Sequence, residues 1–210
     1  MSGTGNLTKT VTATGWDFVD GLLTGVAWGG PTIFYSFPTT NSVYNYTTAN
    51  TNLTSNFSAL TSQQMDAVNF ALNDFYGGSG FTALASAGFS VEGFTNLNIT
   101  LDSTPDTTGP EQIRFGNVPS TILNSARVAD FPGSLITAQI DDDGDVWFGG
   151  GGDNPTAGNY DWLTTLHEVG HALGLKHGHE TSGVSNTALP SPIDSMEYSV
   201  MTYRSYVDHL

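Results

Sequence analysis

The sequence predicts a single α+β domain, and three observations carry that expectation. The chain has 210 residues, enough to bury one sizeable core without disulfide or metal staples. Charged residues make up only 12%, and Thr, Ser, Asn and 25 Gly carry the polarity instead, a mix that favours strands and turns. Two segments nevertheless keep a helical period over several turns, each with a start or stop signal of its own.

Residues 1–30 read as an irregular lead-in with one short helix around Asp17–Leu23. Thr32–Phe37, rich in β-branched and aromatic residues, predicts a strand ended by Pro38, and the polar stretch after it predicts a surface loop to Ser58. Thr61-Ser62-Gln63-Gln64 has the form of a capping box, and Met65, Val68, Leu72 and Phe75 follow at helical spacing, so a helix is expected over 62–75, ended by Gly77-Gly78. Ser90–Phe94, Leu97–Leu101 and Gln112–Phe115 read as strands, with a turn-rich loop over 103–110. Ser134–Ile140 and Asp145–Phe148 read as two strands around Asp141-Asp142-Asp143-Gly144, whose Asp-Gly step is a hairpin signal. The second long helix is expected over Asn159–Leu173, with Trp162, Leu166, Val169 and Leu173 as its buried stripe. From His177 onward the chain reads as a loop ending in Ser199-Val200-Met201-Thr202-Tyr203.

The net charge of −15 excludes some functions. Five bases (Lys9, Arg114, Arg127, Lys176, Arg204) are scattered, so no basic footprint for nucleic acid exists and an anionic membrane surface is disfavoured. The excess of acids leaves room for bound cations. With no cysteine, disulfides, Cys-based metal sites and thiol nucleophiles are excluded. The apolar run Leu22–Trp28 is too short to span a bilayer, and Met1–Gly5 lacks the charged and apolar regions of a signal peptide, so export would need another signal.

Four of the five histidines fall within residues 167–179. The stretch reads His167-Glu168-Val169-Gly170-His171-Ala172-Leu173-Gly174-Leu175-Lys176-His177. Residues four apart on a helix share a face, so His167 and His171 can aim two imidazoles at one ion. Glu168 then lies beside the ion, placed to act on water there. Gly174 permits the left-handed conformation that ends a helix, after which His177 returns as a third ligand. Three neutral nitrogens leave the open fourth position that catalytic zinc needs. His179 lies next to this register and is expected to be an exposed neighbour. Asp141-Asp142-Asp143-Gly144-Asp145 offers hard oxygen donors but lacks the spacing of an EF-hand, so a solvated hairpin tip is the main reading and calcium the lesser one.

In these residues the sequence resembles the metzincin metalloproteases, whose signature is H-E-x-x-H-x-x-G-x-x-H followed by a Met-turn. Ser199-Val200-Met201-Thr202-Tyr203 is similar to the Met-turn of the serralysin-like branch, and Thr14-Gly15-Trp16-Asp17 to the start of mature serralysins. The resemblance implies an upper subdomain (about 1–177) with a twisted mixed sheet and two long helices, and a small irregular lower one (about 178–210). A cleft between them would pair an extended peptide or protein substrate with the sheet's antiparallel edge strand, for which Asp145–Phe148 is the candidate. It further implies one zinc ion on His167, His171 and His177, with Tyr203 as a fifth ligand that swings to hold the oxyanion, Glu168 as general base, Met201 as a packed floor, and secretion from a bacterial-type cell. A monomer is favoured. The chain departs from the branch in having Gly178-His179 where Pro is usual after the third His, and in stopping at Leu210, short of the further helix and repeat domain, which reads as a fragment or a minimal variant. The expected activity is zinc-dependent endopeptidase. A zinc hydrolase of small molecules and a non-catalytic binding module with a relic site are the alternatives.

Overall fold

A computed structural model describes residues 8–46, 50–72, 98–107, 112–128, 131–133 and 142–205. Among them, β1 (Thr8–Thr10) is followed by a short helix α1 (Asp17–Asp20), then β2 (Val26–Trp28) and β3 (Thr32–Ser36). Next come α2 (Thr51–Ser55), α3 (Ser62–Leu72), β4 (Asn98–Leu101), β5 (Ile113–Asn117), β6 (Ala126–Val128), β7 (Val146–Phe148) and α4 (Tyr160–Ala172). The architecture is mixed α/β. β1 and β2 form a small antiparallel ribbon, and the main sheet runs β4-β3-β5-β7-β6, parallel except for antiparallel β6 at one edge.

This order corrects one expectation. Val146–Phe148 is an interior strand, hydrogen-bonded to β5 on one side and β6 on the other, so among the described residues the antiparallel edge is Ala126–Val128. The run Val-Trp-Phe is apolar without alternation because both faces of β7 are covered. Val146 and Phe148 face the core under the helices with Ile33, Tyr35, Ile113, Phe115 and Val169, while Trp147 joins Val43, Tyr44, Tyr46, Leu53 and Val118 on the other face. Gly116, opposite Trp147 in register, is required there, because a Cβ would meet the indole at 2.7 Å.

The stretch expected as a surface loop up to Ser58 is instead half of that second core. It contains α2, and Val43, Tyr44, Tyr46 and Leu53 are buried. The acidic run also departs from expectation: Asp142, Asp143 and Asp145 are buried. Arg114 explains Asp145. Its guanidinium makes a fork to both Asp145 oxygens at 2.9 and 2.7 Å, donates to the Val43 carbonyl, and lies 4.7 Å from the centre of the Tyr44 ring. Tyr46 adds a 2.6 Å bond to Asp145, and burial together with the Asp145 charge pushes its phenol pKa up. Asp142 accepts from Asn50 at 2.8 Å.

Both long helices begin as the sequence indicates. Thr61 and Gln64 cap α3 reciprocally: Gln64 N–H donates to Thr61 Oγ1 at 3.2 Å and Thr61 N–H to Gln64 Oε1 at 2.9 Å. Met65, expected in the buried stripe, is only partly buried against the core, whereas Val68 and Leu72 are fully buried. Residues 73–75, Gly77-Gly78 and the expected strands Ser90–Phe94 and Ser134–Ile140 lie outside the described residues, as does Asp141. The short helix ends at Asp20, earlier than expected. No helix among the described residues is long and apolar enough to cross a membrane.

Candidate metal centre

Helix α4 carries the first half of the site. Asn159 caps it, its side-chain oxygen accepting from Trp162 N–H at 2.8 Å. Trp162 and Val169 are buried, and Leu166 and Leu173 pack partly buried against the core, which turns the face bearing His167, Glu168 and His171 inward. The helix ends in a Schellman motif: Leu175 N–H donates to the Gly170 carbonyl at 3.0 Å and Gly174 N–H to that of His171 at 2.9 Å. Gly174 has φ +102°, and a Cβ there would strike the Val26 carbonyl. The chain reverses and delivers His177 to the helix.

The three Nε2 atoms lie 3.0 Å (His167 to His171), 3.0 Å (His171 to His177) and 3.2 Å (His167 to His177) apart. Each Nδ1 has an acceptor: the Val200 carbonyl for His167 at 2.7 Å, the Leu175 carbonyl for His171 at 2.8 Å, and a Glu180 carboxylate oxygen for His177 at 3.1 Å. Acceptors of that kind require a proton on Nδ1, so in a neutral imidazole held this way the lone pair lies on the convergent Nε2. Burial pushes the pKa of His171 down to about 4 and lowers that of His167, favouring the neutral form. Three lone pairs aimed at one point repel unless a cation stands between them. The spacing fits a tetrahedral zinc, whose nitrogen ligands at ~2.0–2.1 Å lie roughly 3.4 Å from one another. These three histidines therefore can bind a metal ion.

Tyr203 reaches the cluster from the far side. Its hydroxyl donates to His177 Nε2 at 2.6 Å, and its ring stacks on His167 at 5.6 Å. Burial, then the charge of Glu168, pushes the phenol pKa up, so it remains a donor at neutral pH. Glu168 is buried and lines a cleft of about 240 Å³ together with His167, Tyr203, Thr164, Val200 and Asn124–Ala126 at the start of the edge strand. His179 is exposed, as expected, and stacks on His177 at 5.5 Å.

Met201 is buried beneath the helix. A Cβ at Gly170 would fall on its sulfur, so the glycine inside the helix is there to admit the methionine. Gly178 is equally constrained: its N–H donates to the Met201 carbonyl at 3.0 Å, a bond proline cannot make, and a Cβ would meet Asp194 at 2.7 Å. The sequence reading passed over Glu180, Gly170 and the edge strand at 126–128. A mid-helix glycine costs about 1 kcal/mol against alanine, and that cost was the available signal for close packing at Gly170.

No family model matches the chain. A curated relative, serralysin from Proteus mirabilis, is 34% identical over 99 residues, which are 43% of this chain and 20% of that protein. The chain thus spans about a fifth of the length of the relative it matches, and this partial similarity suggests a metalloprotease.

Proposed function

We propose that the chain is a zinc-dependent endopeptidase of the serralysin-like metzincins, residues 1–210 forming one catalytic domain that acts outside the cell on extended peptide or protein substrates. The observation that carries this reading is the convergence of three histidine Nε2 atoms beside a buried carboxylate that is not among them. His167, His171 and His177 would hold the zinc. A bound zinc ion supplies an acidified water at neutral pH and polarises the scissile carbonyl. Glu168, on the cleft wall, takes a proton from the attacking water at its carboxylate and returns it to the leaving amine nitrogen. The Tyr203 hydroxyl, a protonated donor at the same point, turns to the carbonyl oxygen as charge develops there. The edge strand at Ala126–Val128, with Asn124–Ala126 on the cleft, is the place for a peptide to add a strand.

Metal analysis and a peptide-library digest test this together. Purified protein is expected to hold about one zinc per chain and to cleave internal peptide bonds. Full zinc retention in the His167→Ala/His171→Ala/His177→Ala variant, or turnover of small esters with no peptide cleaved, refutes it.

A further inference from the structure

The three candidate ligands are not held alike. His167 and His171 give their Nδ1 protons to main-chain carbonyls, of Val200 and Leu175, which move only if the backbone moves. His177 gives its proton to a side chain. Glu180 sits one turn further along and grips the histidine twice: one carboxylate oxygen takes the ring Nδ1–H at 3.1 Å, the other the His177 backbone N–H at 3.2 Å. Glu180 is itself anchored, its N–H on the His177 carbonyl at 3.1 Å and its own carbonyl under the buried Lys176 ammonium at 2.6 Å. That ammonium also holds the carbonyls of Gly21 at 2.5 Å and Thr187 at 3.0 Å. A path of hydrogen bonds thus runs from the N-terminal segment through Lys176 and Glu180 to the His177 ring.

The pair is partly solvated, with side-chain exposures of 21% for His177 and 36% for Glu180. An ion pair so exposed contributes little to folding. Its consequence lies in the ring. A carboxylate on Nδ1–H fixes the tautomer and the ring orientation, and makes Nε2 a stronger donor than a carbonyl partner would.

We propose that Glu180 is the positioning residue for His177, and that its negative charge sets how tightly the three histidines hold a divalent cation. The inference rests on the zinc reading above. Chelator competition with zinc alone, on the purified full chain, measures it. Glu180→Ala is expected to bind zinc about 10–100-fold more weakly than wild type. Glu180→Gln, which keeps an oxygen for the ring but loses the charge and the second acceptor, should fall between. Melting of the metal-free proteins supplies the structural control, and all three should melt together. Wild-type zinc affinity in Glu180→Ala overturns the inference, and so does an affinity loss matched by a lower metal-free melting temperature. If Glu180→Ala fails to fold, Glu180→Gln decides by the same criteria. A wild-type protein that takes up no zinc overturns the zinc reading and this inference with it, whereas tight zinc binding insensitive to residue 180 overturns the inference alone.

Discussion

Two polar clusters sit on opposite sides of the sheet, one fully buried and one opening to the cleft, and their donors and acceptors differ. Around Arg114, donors meet acceptors: the guanidinium faces the Asp145 carboxylate and the Val43 carbonyl, and Tyr46 completes the carboxylate while receiving the Trp147 indole N–H at 3.0 Å. Around His171, acceptors meet acceptors, three Nε2 atoms within 3.2 Å with one phenol proton among them. The first cluster is electrically complete and belongs to the fold. The second lacks such a donor set, and a cation on its three histidines would complete it, as proposed above. The donor and acceptor count separates them.

If that contrast is right, breaking the first cluster should cost stability and breaking the second should cost chemistry. Arg114→Met strips the buried Asp145 carboxylate of its cationic partner and is expected to destabilise folding by about 3–5 kcal/mol, read by denaturant titration. Replacing both, Arg114→Met with Asp145→Leu, should cost less than the single change, because no charge is then left buried. A double variant worse than the single would show that the pair's geometry, and not charge compensation, holds the second core.

Glu168→Ala should behave in the opposite way. Zinc content and melting should stay near wild type, since Glu168 is no member of the convergent triad, while peptide hydrolysis falls at least ~10²-fold, close to 2.7 kcal/mol in activation free energy. Near-normal turnover in that variant would remove the carboxylate from the mechanism and leave the metal centre standing.

Tyr203→Phe is the finer test. It keeps the ring stacked on His167 and removes only the hydroxyl now on His177. The expected loss is roughly 10–10³ in kcat with little change in KM. An unchanged kcat would leave the phenol a packing residue at the mouth.

The same contrast explains how much could be read from sequence. Helix α4 was legible because its period, its cap and its terminating glycine all lie within or directly beside it: expected over 159–173, it spans Tyr160–Ala172. The histidine triad was legible because its three members fall within eleven residues of chain. The Arg114 cluster was not, since Arg114 and Asp145 are 31 residues apart and Asn50 and Asp142 are 92 apart, so the acids read as a solvated tip. Val43, Tyr44, Tyr46 and Leu53 were hidden in a Thr/Asn-rich background without periodicity. Strands β1, β2 and β6, at three residues each, are too short to show alternation, and the order of a parallel sheet is settled by its crossovers and not by proximity in sequence.

The smallest expected effect is at Gly170, where fold and site meet. Alanine there would gain about 1 kcal/mol in helix propensity, but its methyl would occupy the place of the buried Met201 sulfur. Overpacking of a closed core costs typically ~1–3 kcal/mol, so Gly170→Ala should be net destabilising by roughly 1 kcal/mol. The displaced methionine lies next to Val200, whose carbonyl fixes the His167 ring, and its own carbonyl holds Gly178 N–H beside His177. Zinc affinity should therefore fall alongside stability. Met201→Ala alone leaves a cavity and is also destabilising. The two changes together place a methyl where space has been made, and a double-mutant cycle should show a favourable coupling of ~0.5–2 kcal/mol. Additive losses would mean that the helix accommodates alanine by shifting along its axis, and that the methionine floor does not dictate the glycine.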